Sequence, residues 1–159
     1  MTDSNIWIDL HRGCLIDEVF LLPFELMAPD VIIDELQTPN GGELVQLGLR
    51  AKELSGEQVL TVVDLADHYL RPSRQDLFAL VLAMGTGAML LTGDGSLRDA
   101  AHKMSVEVHG TIWVLDQMVN HKIIGKRERA HALRLMVNSG SRLPKDEVES
   151  RLGPDPATS

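Results

Sequence analysis

The stretch from Ser73 to Met104 constrains the fold more than any other part of the chain. Ser73 is placed to N-cap a strongly apolar helix, RQDLFALVLAMG, that is expected to stop at Gly85. AMLLT then reads as a short strand, GDG as a turn, and SLRDAAHKM as a second helix. An apolar strand held between two helices has no polar face to give to water. It belongs inside a mostly parallel sheet that is covered on both sides.

The rest of the chain reads as the same alternation. NIWID at 5–9 alternates apolar side chains and ends on Asp9, as a short buried strand before a turn; HRGCLIDEVFLL follows as a helix. FELMAP at 24–29 suits a second strand and VIIDEL a short helix starting near Asp30. TPNGGE is a turn cluster, LVQLGLRAKELS a helix, and QVLTVVDL at 58–65 a β-branched strand leading to a helix around ADHYL. VEVHG is a further strand, TIWVLDQMV a helix, HKIIGKRERAHALRLMV a basic amphipathic helix and LPKDEVESRL a last one. The expected fold is an α/β/α three-layer sandwich with a mostly parallel central sheet, without internal repeats.

Composition limits what such a fold can do. A chain of 159 residues with 44% hydrophobic side chains can bury one core, whereas aromatic residues at 4% leave little surface for base stacking. The net charge of −8 argues against a broad basic footprint for nucleic acid, though an acidic site can still reach a phosphate through bound cations. The one cysteine, Cys14, can form no internal disulfide. No basic and apolar leader and no apolar run of membrane-spanning length is visible, so a cytoplasmic, membrane-free protein is expected.

Acidic residues fall at the strand ends of this scheme. Asp9 ends the first expected strand and Asp94 follows AMLLT, and parallel sheets bind ligands just beyond the carboxyl ends of their strands. Asp34 and Glu35 lie on the helix after FELMAP, Asp76 in the first turn of the apolar helix, and Asp99 little more than a turn after Asp94. Carboxylates gathered at one mouth repel one another unless a cation neutralises them. Each also has a structural reading: Asp30, Asp76 and Asp99 suit helix N-terminal turns, and Asp94 before Gly95 suits a turn.

IWID with Asp9, APDVIIDEL with Glu35, PSRQDLFALVLA with Asp76, and LLTGDGSLRDAA with Asp94 and Asp99 together resemble the PIN-domain ribonucleases, the fold of VapC-type toxins. The resemblance covers roughly residues 4–125. Many members place a small polar pair such as Thr and Asn after the first acid, where Leu10 and His11 follow Asp9 here. The resemblance implies a site of three or four acids holding Mg²⁺ or Mn²⁺. Asp9, Asp76 and Asp94 would bind the metal directly or through water, Glu35 would orient a metal-bound water, and Asp99 would assist a second ion.

The function expected is metal-dependent endoribonucleolytic hydrolysis, by the toxin of a type II toxin–antitoxin pair. The partners would be an RNA substrate, a cognate antitoxin and a second copy of the chain in a homodimer. An inactive PIN-like protein-binding module and a phosphatase-type α/β hydrolase are the alternatives; paired aspartates of the haloacid dehalogenase type, a P-loop and GxGxxG are all missing. Lys122, Lys126, Arg127, Arg129 and Arg134, with Arg74 and Arg98 beside the acids, are candidates for phosphate contact or for a solvated face. The expected organisation is a nuclease domain over 1–125, a helical extension over 126–152 and a disordered tail over 153–159.

Overall fold

The computed structural model describes residues 1–153. Ten helices and four short strands run in the order α1 (Ser4–Arg12), α2 (Ile16–Val19), β1 (Met27–Pro29), α3 (Asp30–Glu35), α4 (Gly41–Leu47), β2 (Arg50–Lys52), α5 (Gly56–His68), α6 (Arg74–Thr86), β3 (Leu90–Leu91), α7 (Gly95–Lys103), β4 (Val108–His109), α8 (Thr111–Asn120), α9 (Lys126–Asn138) and α10 (Lys145–Leu152) among the described residues. The fold is α/β with parallel pairing throughout: β1 with β2, and β3 with β4. The first residues of the chain join the two pairs. Thr2 donates its N–H to Met27 at 2.7 Å, Leu91 donates to Met1 at 2.8 Å, and Asp3 donates to Leu91 at 3.1 Å.

Four elements differ from the sequence expectation. NIWID is not a strand but the body of α1, because Asp3 caps the helix by accepting from the Ile6 N–H at 3.1 Å. Ile6, Trp7 and Leu10 then share one buried helical face. The strand that precedes the helix is only Met1 and Thr2, too short to show any periodicity.

QVLTVVDL is likewise helical, within α5. Ser55 and Gln58 form a reciprocal capping box at the start of that helix, and Val62, Leu65, Ala66 and Tyr69 pack inward at helical spacing. Its extra β-branched residues imitate a strand because Val59 and Val63 add apolar side chains on the outer face. The third difference is LVQLGLRAKELS, which is cut at Gly48. With φ +127°, a conformation favouring glycine, Gly48 ends α4 and turns the chain into β2 beside β1.

HRGCLIDEVFLL is also broken, its start ending α1 and only Ile16–Val19 forming the one-turn α2 after left-handed Cys14; the other expected helices and strands are present, with strands shortened to two or three residues. The apolar helix α6 runs past Gly85 to Thr86 and ends on left-handed Gly87. Its Leu77, Ala79, Leu80, Val81, Leu82 and Ala83 are all buried, so it forms the middle of the core. Residues 126–152 supply Leu133, Met136 and Val148 to the same buried cluster that holds Trp7 and Leu80, and α9 packs on α1 and α8. The tail expected to be disordered lies, from residue 154 onward, outside the described residues. No helix among the described residues is long and apolar enough to cross a membrane.

Candidate active site at the carboxyl edge of the strands

The acid that follows the bridging residues Met1 and Thr2 is Asp3. Its Oδ1 accepts from the Ile6 N–H, and its Oδ2 accepts a short hydrogen bond from the Thr92 hydroxyl. Thr92 follows β3, and its Oγ1 in turn accepts the Asp94 N–H at 3.0 Å. One threonine therefore ties the ends of two neighbouring strands and two carboxylates together.

Asp94 caps α7: its Oδ1 takes the Ser96 N–H at 2.8 Å, the Ser96 hydroxyl at 2.6 Å and the Leu97 N–H at 3.1 Å. Its Oδ2 receives no protein hydrogen bond among the described residues. Asp76 stands at the third position of α6. It forms a capping box with Ser73, the Ser73 N–H donating to Oδ2 and the Asp76 N–H to Ser73 Oγ, both at 3.1 Å. Its Oδ1 is likewise free of protein donors among the described residues. Helix caps and candidate site residues are thus the same side chains, and both readings of Asp76 and Asp94 hold at once.

These carboxylates feel one another. Burial pushes Asp3 up to about 7, opposed by the Thr92 and Ile6 hydrogen bonds and reinforced by the charges of Asp76 and Asp94. Burial also raises Asp76, against its Ser73 hydrogen bonds, and the Asp94 charge adds to the rise. Three acids from the first strand end, the α6 N-terminus and the turn after β3 form one repelling set. Asp3 is the member that the sequence reading missed. The signal was present, since Asp3 is followed by Ser4 and Asn5, a small polar pair that Asp9 lacks.

Asp9 occupies a different place from the one expected. It sits in the body of α1 rather than at a strand end, and both its oxygens are held by hydroxyls, Oδ2 by Thr111 at 2.7 Å and Oδ1 by Ser141 at 2.6 Å. Glu35 is exposed at the end of α3 and accepts from Gln75 Nε2 at 3.0 Å. Asp99 is exposed on α7, and Asp34 is exposed on α3. The Gln75 contact brings Glu35 next to the residue preceding Asp76.

A cavity of about 700 Å³ opens beside the acids. Asp9, Asp94, Arg12, Arg98, Arg142 and Trp113 are among its walls. None of the three arginines forms an ion pair among the described residues, although Arg12 Nη1 donates to Ser141 Oγ at 3.2 Å and Arg98 Nη2 to the Thr92 carbonyl at 3.5 Å. The guanidinium of Arg98 lies against Gly110, where a Cβ would come within 2.5 Å of Nη2. Of the basic residues proposed from sequence, Arg98 alone lines this cavity. Arg129 is spent on Asp116 at 2.8 Å, and Arg134 on the Leu152 carbonyl at 3.2 Å.

The donor set fits a hard divalent cation in its chemistry: only oxygen ligands, like charges in need of neutralisation, and unoccupied lone pairs on Asp76 and Asp94. Among the described residues, no three His, Cys, Asp or Glu side chains already stand close enough together to enclose an ion. Such a set suits an ion that takes one or two direct carboxylates and keeps its waters, as Mg²⁺ does.

Comparison with family models gives a match to DUF3368, described as a PIN domain, over residues 1–153. No curated protein and no solved structure matches the chain.

Proposed function

The chain belongs to the PIN-domain family, whose fold is of the nuclease type, and on that premise we propose that it is a Mg²⁺- or Mn²⁺-dependent endoribonuclease. The observation that carries the reading is the coupled acid set, Asp3, Asp76 and Asp94, contributed by three separate segments to one edge. Each of the three also caps a helix, but mutual repulsion among them is relieved only by a cation. In this reading Asp3 takes the role given above to Asp9. Asp76 and Asp94 offer their free oxygens, Glu35 and Asp99 lie at the margin, and Asp9 shapes the cleft wall.

When bound, a divalent ion supplies charge neutralisation and Lewis acidity toward a phosphodiester. The protein does the positioning. Thr92 fixes Asp3 relative to Asp94, the capping boxes fix Asp76 and Asp94 on their helices, and the cavity arginines orient the strand by its phosphates.

A toxin in a type II pair is the setting we favour, with an antitoxin that covers this cleft. The exposed Val59, Leu60 and Val63 of α5, with Val45 and Leu47 of α4, offer apolar area for a homodimer. A monomer by light scattering at micromolar concentration would argue against that assembly. The decisive experiment is cleavage of a mixed single-stranded RNA pool against Mn²⁺ concentration. Metal-dependent cuts are expected, and their absence under all conditions would leave the chain as a PIN-like binding module.

A further inference from the structure

Asp9 and Arg12 stand one turn apart on α1 and both line the cavity, a spacing at which opposite charges on a helix ordinarily meet. They form no ion pair among the described residues. The half-buried Ser141 hydroxyl lies between them: it accepts from Arg12 Nη1 at 3.2 Å and donates to Asp9 Oδ1 at 2.6 Å, while Thr111 donates to Asp9 Oδ2 at 2.7 Å.

The late helices carry Ser141 to this place. Gly13 ends α1 against α9, where a Cβ would come within 2.5 Å of Met136 Cε and 3.3 Å of Ala132 Cβ. Just past α9, the Ser141 N–H donates to the Met136 carbonyl at 2.9 Å. Beyond the loop, Arg151 of α10 forks onto Asp116 of α8, Nε to Oδ1 at 2.8 Å and Nη2 to Oδ2 at 2.6 Å. Both flanks of the loop that bears Ser141 are therefore fastened to the body of the fold.

We propose that Ser141 is a positioning residue: its hydroxyl satisfies Asp9 and spaces it from Arg12, so that the Arg12 guanidinium stays available to an anionic group in the cleft. Without that hydroxyl Asp9 Oδ1 loses its donor, and Arg12, one turn away, replaces it in a charge-assisted pair that withdraws the cation from the cleft. The inference rests on the nuclease reading for the identity of the anion, a phosphodiester.

The test uses the full chain. Binding of a short fluorescein-labelled single-stranded RNA is followed by anisotropy in EDTA, where it stays intact, over a range of KCl concentrations. Ser141→Ala is expected to weaken binding by about 3- to 10-fold and to lower the salt dependence of log Kd by about 0.7, the loss of one phosphate contact. Arg12→Gln should match it, and Ser141→Thr, which keeps the hydroxyl, should bind as wild type. With Mn²⁺, KM should rise in Ser141→Ala while kcat stays within about twofold of wild type. The double variant Ser141→Ala with Asp9→Asn discriminates: with no charge left to withdraw Arg12, affinity and salt dependence should return to within about twofold of wild type, whereas two merely structural losses would add.

Wild-type binding by Ser141→Ala or Arg12→Gln, or a double variant no better than Ser141→Ala, overturns the proposal. So does a wild-type chain that binds no RNA up to roughly 100 µM at low salt. Cleavage in Mn²⁺ together with any of these results leaves the nuclease reading standing. The expected binding pattern in a protein that never cleaves does the reverse: the role of Ser141 survives and the nuclease reading falls.

Discussion

Asp3 and Asp9 are both buried acids reached from the same helix, but the pockets around them are opposites. Asp3 feels the charges of two more carboxylates, Asp76 and Asp94, and its one hydroxyl donor, Thr92, is shared with the Asp94 backbone. The cleft wall around Asp9 gives each oxygen its own hydroxyl, from Thr111 and Ser141, segments that close the cavity from the far end of the chain. Burial of a carboxylate is therefore not the mark of a site. What marks it is whether the neighbours compensate the charge or add to it, because only an uncompensated cluster gains from a cation.

The sharpest way to break this comparison is cleavage. Asp94→Asn and Asp3→Asn each preserve shape and remove a charge from the coupled set. Both are expected to lower RNA cleavage by at least ~100-fold, a loss in keeping with several kcal/mol of charge stabilisation in the transition state. If Asp9→Asn falls as far and Asp3→Asn does not, the assignment of the two pockets is reversed.

Next in size is stability against pH. Asp3 keeps its proton up to about pH 7 in the folded chain, but only to about 3.8 when unfolded. Between these values the folded state holds more protons, so the stabilisation is complete below pH 3.8 and is lost as pH rises through 7. Asp76 acts in the same direction. Metal-free Asp3→Asn should thus match wild type near pH 4 and exceed it at pH 7.5, by a margin on the order of a few kcal/mol in urea unfolding. Millimolar Mn²⁺ should raise the Tm of wild type at pH 7.5 and do little for Asp3→Asn.

Asp9→Asn should show the converse. An amide cannot accept from both Thr111 and Ser141, so stability should fall by ~1–3 kcal/mol at neutral pH, while cleavage drops less than ~10-fold. Circular dichroism melts beside the RNA assay separate the two quantities. The smallest effects belong to the exposed acids. Asp99→Asn and Glu35→Gln should each cost only a few-fold in rate, of order ~1 kcal/mol, and Asp99→Asn should be partly rescued by higher Mn²⁺.

Much of this was readable from local sequence. The unit from Ser73 to Met104 carries its own cap, stop and turn, so α6, β3 and α7 appear where their residues say, and Asp76 and Asp94 come with them. Asp3 was harder to find because the strand before it is two residues long, and no periodicity can be read from two residues. The α5 segment misled for a different reason. Its Ser55–Gln58 capping box is a stronger local signal than β-branched content, yet Val59, Thr61, Val62 and Val63 mask it.

Sequence alone determined the α/β alternation, the apolar central helix and the acids that start helices after strands, because capping, glycine stops and helical spacing act within a few residues. Tertiary structure alone decided which acids share a pocket. Met1 and Thr2 bridge β1 and β3 and carry Asp3 to Thr92, 89 positions away in sequence, while Ser141 returns from late in the chain to satisfy Asp9. Charge compensation depends on distance in space, and local sequence contains no measure of that.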